Sequence, residues 1–391
     1  MTGGLLVALA LLTAAGPFGI DMYLPGLPTL QADLGTTPVM AQLTITGFVL
    51  GMAVGNLLFG ALSDSTGRKR PILIGSVFFL AASVLCAVAP SIELLIAARF
   101  IQGLAGGSTM VVARAVIPDV ARGREAAKLF SALMAITGFA PAIAPVVGGV
   151  LLPAVGWRGV FWALVALNIA QIAVATFFLP ETLPPERRTG NALRGLFPRI
   201  ARCLARPAFI GYMLASGLGF GALFSYIAAS PLVLQSQLGV SPTTYSLIFG
   251  SMALLIPLSN AANMRLVSSV HPRRALIGAL IMDALAGATL VLQALTGPIL
   301  VLAVPTLALL SLMAGGIMAN ATALGVEVAR DIGAGAGSGA MGFFQFLVAG
   351  SVPPLVALGT NPMLAMATSI VVCAGVALTG LLTLTRQPAE G

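Results

Sequence analysis

Long apolar runs separated by short polar breaks dominate the chain. Twelve of them, at about 4–24, 38–62, 71–90, 92–117, 127–152, 158–179, 208–230, 243–264, 272–295, 298–326, 335–358 and 361–385, reach the roughly 20 residues that a helix needs to cross a hydrocarbon core. Pro and turn residues mark several of the breaks, at Pro71, Pro90-Ser91, Gly297-Pro298 and Gly359-Thr360-Asn361-Pro362. The breaks at Pro90 and Thr360 are so short that the helices flanking them must form hairpins. The pattern predicts an all-α integral membrane protein with twelve transmembrane helices.

Composition supports that reading. Of 391 residues, 58% are hydrophobic and 8% charged, whereas a soluble domain carries about 25% charged residues. A soluble fold of this length has no means of hiding so much apolar surface, so most of the exterior must face lipid. The first run, from Gly3 to Ala15, resembles a signal-peptide core but lacks a basic segment before it, and further apolar runs follow. It reads as the first transmembrane helix. Cys86 and Cys373 lie within apolar runs and Cys203 in a basic loop, a spread that does not read as a disulfide framework.

The formal charge of +8 sharpens the topology. Seventeen of the twenty basic residues fall in alternate loops: Arg68, Lys69 and Arg70; Arg122, Arg124 and Lys128; the six arginines between Arg187 and Arg206; Arg265, Arg273 and Arg274; Arg330; and Arg386. The opposite loops hold only Arg158, and Arg99 and Arg114 fall within helix 4. Lys and Arg accumulate on the cytoplasmic side, so both termini are expected in the cytoplasm of a multi-pass cell-membrane protein. The same placement argues against a nucleic-acid partner, since the charges sit in short loops between spans.

The longest polar stretch, 180–207, lies near the middle of the chain. It divides the sequence into an N-terminal six-helix half (1–180), a cytoplasmic linker (181–207) with little apolar periodicity, and a C-terminal six-helix half (208–391). A short repeat fits this division: Arg70-Pro-Ile-Leu-Ile-Gly75 opens the third helix of one half and Arg273-Arg-Ala-Leu-Ile-Gly278 the third helix of the other. Paired halves are a transporter design with the substrate site between them.

Several motifs carry a family resemblance. Gly60-Ala-Leu-Ser-Asp64-Ser-Thr-Gly67-Arg68-Lys69-Arg70 resembles the loop-2/3 signature of the major facilitator superfamily. Gly19-Ile-Asp21-Met-Tyr-Leu-Pro25-Gly-Leu-Pro28 is similar to helix 1 of the Bcr/CflA group of drug:proton antiporters. Arg99-Phe-Ile-Gln102-Gly103 is similar to the helix-4 arginine motif, and the stretch from Ala140-Pro141 through Ala144-Pro145 to Gly148-Gly149 to the helix-5 antiporter motif. Leu179-Pro-Glu181-Thr-Leu183 resembles the end of helix 6 in that group. The second half matches mainly in layout, with Val267 where the loop-2/3 acid would be repeated. The resemblance implies the major facilitator fold, two pseudo-symmetric six-helix halves, usually in a monomer.

Few ionisable side chains lie within the apolar runs, and each costs roughly 2.5–3.5 kcal/mol to insert. Antiparallel travel puts Asp21, in the outer third of helix 1, and Arg99, in helix 4, at similar depth. A carboxylate beside an arginine stays ionised and one alone in a dry cavity holds a proton, so alternation between those settings would carry a proton. The resemblance implies this coupling role for Asp21 and Arg99. The competing reading is that Asp21 caps or kinks the helix end beside Pro25. Asp283, near the midplane of helix 9, has no basic neighbour in its helix. It reads either as a second proton or cation site or as a neutral, hydrogen-bonded acid in a packing position. Gly103 and Gly106 read as a packing seam, as small residues let helices approach closely.

The resemblance further implies a conformational latch at the cytoplasmic helix ends, with Gly60, Asp64, Gly67, Arg68, Arg114 and Asp119, in which Asp64 would face the start of helix 11 near Gly335. The competing reading is a set of solvated charges. Pro141, Pro145, Gly148 and Gly149 interrupt helix 5, and Pro353 and Pro354 interrupt helix 11; matched interruptions point to the moving interface. Candidate cavity residues are Tyr23, Phe220, Phe224, Tyr226, Asn320, Phe343, Phe344 and Gln345, an aromatic lining suited to small amphiphilic compounds.

One histidine, no metal-ligand cluster, no phosphate-binding glycine loop and no nucleophile–base pair give no sign of an enzyme, metal or cofactor. Uphill transport would therefore draw on an ion gradient. The sequence reading is a proton-coupled exporter of small amphiphilic drugs or antibiotics. Its rivals are an importer or metabolite transporter of the same fold and a channel or non-transporting receptor.

Overall fold

The computed structural model describes residues 3–121, 123–188, 190 and 192–385. Among these residues there are helices and turns and no strand. The helices are α1 (Gly3–Asp21), α2 (Leu27–Asp33), α3 (Pro38–Thr66), α4 (Lys69–Val88), α5 (Ile92–Val120), α6 (Gly123–Phe178), α7 (Ala192–Leu204), α8 (Pro207–Ser230), α9 (Pro242–Leu266), α10 (Pro272–Thr296), α11 (Leu300–Val328), α12 (Arg330–Val356) and α13 (Pro362–Leu384). Their starts carry the expected punctuation: Pro opens α3, α8, α9, α10 and α13, where a missing N–H costs no helical hydrogen bond. The hydroxyls of Thr37 and Ser91 accept from Met40 and Leu94 to cap α3 and α5.

Eleven segments among the described residues are long and apolar enough to span a membrane, and one of them, Gly138–Phe178, runs for 41 residues. At 1.5 Å per residue it would measure roughly 60 Å, twice a hydrocarbon core of about 30 Å. It breaks at Gly156, whose φ of 65° and ψ of 180° lie outside the helical region. Leu129 and Leu133 on the first arm of α6 pack with Leu5 and Ile117, whereas Leu152 near the break lies beside Gly26. The second arm runs back: Arg158 donates to the Ala89 carbonyl at 3.2 Å, and Lys69 reaches the Thr176 carbonyl at 3.2 Å. The two arms are therefore separate crossings, which brings the number to twelve. The exterior suits lipid, with Phe177 83% and Val301 77% exposed.

Three expectations from sequence change. Helix 1 does not run unbroken to residue 24: it ends at Asp21, turns through a 3-10 segment at Leu24–Gly26, and resumes as α2 to Asp33. Pro25 and Pro28 cannot donate to the preceding turn, so the helix is reset there. The run beginning at 208 continues past Ser230 as a wider π-type turn over Pro231–Gln237. The linker, expected to be polar with little apolar periodicity, contains the helix α7. Its apolar positions Leu196, Phe197, Ile200, Cys203 and Leu204 recur at helical spacing among arginines.

The chain divides into two compact units. The first comprises Met1–Gly195 with Pro242–Gly250 and is built around α1 and α3–α6. Its tightest seam is between α3 and α5. Gly47, Gly51 and Gly55 on α3 and Gly103 and Gly107 on α5 each lie against backbone of the facing helix; a Cβ at Gly103 would overlap the Phe48 carbonyl, and one at Gly51 the Phe100 carbonyl. In lipid, where apolar burial supplies no drive between helices, such close backbone approach supplies packing and dispersion. The second unit, Leu196–Ser241 with Ser251–Gly391, is built around α8 and α10–α13. One of its cores gathers Phe209, Leu276, Ile317, Met341 and Leu381.

Candidate functional site

In the first unit the site grows from the break after α1. A helix end leaves its last carbonyls without intrahelical partners. Arg99, fully buried on α5, donates from Nη1 to the Gly19 carbonyl at 2.8 Å and to Gln102 Oε1 at 2.6 Å, while Nε approaches the Thr44 carbonyl at 3.4 Å. A cation at a helix C-terminus is favoured by the helix dipole. The guanidinium lies over the rings of Phe48 and Tyr23, with centroids at 4.2 and 4.4 Å, and 5.7 Å from Phe161. This aromatic cage suits a desolvated cation. Gln102 in turn donates to Ser83 at 2.7 Å, and the Tyr23 hydroxyl bonds Thr44 at 2.9 Å.

Arg99 thus lies at the last turn of α1, the depth expected for Asp21, yet it forms no ion pair with that carboxylate. Asp21 is the final residue of α1, 5% exposed, and its carboxylate makes no hydrogen bond to a described residue. Tyr23 is fully enclosed in the Arg99 cage rather than set on an open wall. Phe48, Phe161, Thr44 and Ser83 complete the cage and were not singled out by sequence. They carry no motif and meet only through packing.

Gly148 of the helix-5 motif meets the same break, since a Cβ there would overlap the Met22 carbonyl. Gly149 lies against Ser246 and the Pro242 carbonyl. Pro141 and Pro145 are accommodated within the first arm of α6.

The signature at the other end of this unit forms a closed network. Arg68, 6% exposed, donates to Asp64 Oδ1 at 2.7 Å, to Ser63 Oγ at 2.7 Å and to Asp119 Oδ2 at 2.8 Å. Gly60 lies beside Val111, and Gly67 holds φ at 96°, a conformation open to glycine, with no room beside the Glu181 carboxylate. Arg114 does not join the network: it makes no hydrogen bond or ion pair with a described residue, and its buried Nε is left without a partner. Glu181 does join it, accepting from the backbone N–H groups of Arg68 at 2.8 Å, Leu183 at 3.0 Å and Lys69 at 3.3 Å.

Burial pushes the Glu181 carboxyl up, but these N–H groups and then the Arg188 charge outweigh it and hold the acid below the usual glutamate range. Its folded pKa lies below the unfolded value of about 4.3. The stabilisation is therefore complete above that pH and is lost as pH falls through the folded value. Melting curves of the wild type and Glu181→Gln should differ at neutral pH, with the wild type more stable, and converge in acid. A difference independent of pH would remove the carboxylate from this role.

In the second unit, Asp283 on α10 is 1% exposed, with Oδ1 lacking a hydrogen-bond partner among the described residues. It is thus not held as a fully hydrogen-bonded acid. The aromatic candidates split. Phe220 packs on Phe224 at 5.3 Å and on Phe346 at 5.8 Å. Phe224 and Tyr226 are 2% exposed, Phe343 is half-buried, and Phe344 packs over Gly217. Asn320 is held in a reciprocal amide pair with Asn263, at 2.8 and 3.2 Å. Gln345 bonds Ser216, which lies 3.4 Å from the Thr322 hydroxyl. Pro353 and Pro354 lie near the end of α12. Among the described residues no His, Cys, Asp or Glu cluster could hold a metal ion.

The Major Facilitator Superfamily model matches residues 9–354. The chain belongs to the major facilitator superfamily. Among curated relatives, the "Uncharacterized MFS-type transporter YdgK" of Bacillus subtilis is 32% identical over 97% of this chain and 94% of its own length. The "Multidrug resistance protein MdtL" of Klebsiella pneumoniae is 30% identical over 74% and 73%. A "Bicyclomycin resistance protein homolog" of Haemophilus influenzae is 29% identical over 73% and 72%. A bacterial homologue of the human lysosomal transporter Spinster shares the fold at a TM-score of 0.76, with 14% identity over 98% of each chain. The chain is thus a multi-pass membrane transporter of the major facilitator superfamily, resembling its drug:proton antiporters.

Proposed function

We propose that this transporter exports small amphiphilic drugs or antibiotics in exchange for protons. The observation that carries the reading is the site at the end of α1. Asp21 is buried there without a cation among the described residues, and Arg99 is occupied by the Gly19 carbonyl, two residues back along α1. Movement of Asp21 between this setting and one within reach of Arg99 would load and release a proton. The names of the multidrug-resistance and bicyclomycin-resistance relatives favour export of drugs. In this reading the chain works as a monomer in the plasma membrane, both termini are cytoplasmic, and the halves 1–180 and 208–391 alternate about a central site. Phe220, Phe343, Phe344 and Gln345, which are not fully buried, line the substrate path, whereas Phe224, Tyr226 and Asn320 are enclosed behind it. Asp283 is a second proton site, and the network of Asp64, Arg68 and Asp119 latches one state. Gly148 and Gly149 allow the close approach on which the movement turns.

Drug accumulation in cells expressing the protein, with and without a collapsed proton gradient, tests the proposal. Accumulation should fall several-fold only while the gradient stands, and Asp21→Asn should abolish that fall. Unchanged accumulation across a broad panel would sink the exporter reading. Uptake that rises with expression would favour an importer, and gradient-independent flux a channel. Full activity of Asp21→Asn would remove that residue from proton coupling.

A further inference from the structure

The linker helix α7 has three distinct faces over residues 196–204. At 100° per residue, Ile200 and Cys203 share one direction. Both pack on the second unit's core, where Cys203 is fully buried. About 100° around lie Phe197, Ala201 and Leu204, all exposed, Phe197 by 56% and Leu204 by 39%. Nearly opposite these lie Arg199 and Arg202, exposed and in no ion pair with a described residue. The end of the helix is fixed by Arg206, which grips Asp331 through both carboxylate oxygens, at 2.7 and 2.5 Å, and the Val328 carbonyl at 2.6 Å. This joins α7 to the α11–α12 turn, at the end of the unit where Arg330 also lies.

An exposed Phe and Leu opposite unpaired arginines on a helix fixed to a membrane protein match one environment: the boundary between acyl chains and anionic headgroups. We propose that residues 196–204 form an interfacial helix that holds this end of the transporter on an anionic leaflet. Phe197 and Leu204 enter the acyl boundary. Arg199 and Arg202 bind lipid phosphates, their aliphatic stems letting the guanidinium groups reach up to the headgroup level. The occupant is the anionic lipid surface, selected by charge complementarity. Each arginine near such a surface is worth about fivefold in binding.

The test uses the full chain in proteoliposomes of phosphatidylcholine alone or mixed with phosphatidylglycerol. A nitroxide placed by Phe197→Cys reports collision with oxygen and with a water-soluble nickel chelate; the native cysteines are buried. A label at the lipid-exposed Phe177 position serves as the control. The label at 197 should be oxygen-accessible and chelate-protected in anionic vesicles. Chelate access should rise several-fold in phosphatidylcholine, at high salt, or when Arg199→Gln and Arg202→Gln are added. Aqueous access at 197 in both lipids would overturn the proposal. So would protection that neither the lipid charge, the salt nor the arginine changes alter. Size-exclusion profiles of each variant report folding separately.

Discussion

Replacement of Arg99 by Ala or by Lys should each reduce gradient-driven efflux by more than tenfold. The guanidinium meets three demands at once. It satisfies the Gly19 carbonyl at the end of α1, it holds Gln102 in line with Ser83, and it stacks between Phe48 and Tyr23. A hydrogen bond to a charged group contributes about 1.5–3 kcal/mol, so Arg99→Ala should also lower the melting temperature by several degrees and loosen α1 from α5. Lysine keeps the charge but lacks the planar fork that stacks on rings while donating along two directions. Wild-type efflux by Arg99→Lys would show that charge alone suffices and would remove the geometric argument.

Gly103→Val should be the most damaging substitution to the fold. Its Cβ would overlap the Phe48 carbonyl, which is backbone and cannot rotate away. The α3–α5 seam must then open along the register set by Gly51, Gly55 and Gly107. Overpacking costs of 1–3 kcal/mol assume side chains that yield; here the loss should be about 3 kcal/mol or more, seen as loss of monodisperse protein on size-exclusion chromatography. Gly278→Ala is the matched control, since a Cβ there meets nothing within 4 Å. It should be neutral, or stabilising by about 0.5–1 kcal/mol through helix propensity. Folded Gly103→Val with an unchanged melting temperature would refute the close-approach account.

Helix number and type were legible from sequence because a bilayer imposes a length of apolar chain and forbids unpaired backbone. The break at Gly156 was legible for the same reason, since no single helix fits 41 apolar residues into one crossing. The linker reads in sequence as polar with little apolar periodicity, and its helix α7 was not legible there. The alternation in α7 is short and interrupted by Pro198, and it reads as amphipathic only once Ile200 and Cys203 are seen to pack. Gly47, Gly51 and Gly55 of α3 were not legible as contact sites, because a glycine in an apolar run shows no partner until the facing backbone is in place.

The same division holds at the site. The sequence by itself determined that Asp21, Arg99 and Asp283 lie within spans, that Asp64, Arg68 and Asp119 lie at helix ends, and which loops carry the positive charge. These follow from one-dimensional spacing and the cost of burying charge. Only the tertiary structure decided partners. It turned Arg99 onto a carbonyl and three rings and left Asp21 without a cation among the described residues. It also kept Arg114 out of the network at Arg68 and brought Glu181 into it. Partner choice depends on backbone groups freed by helix ends and on rings from distant helices, and neither is written in the spacing of any one segment.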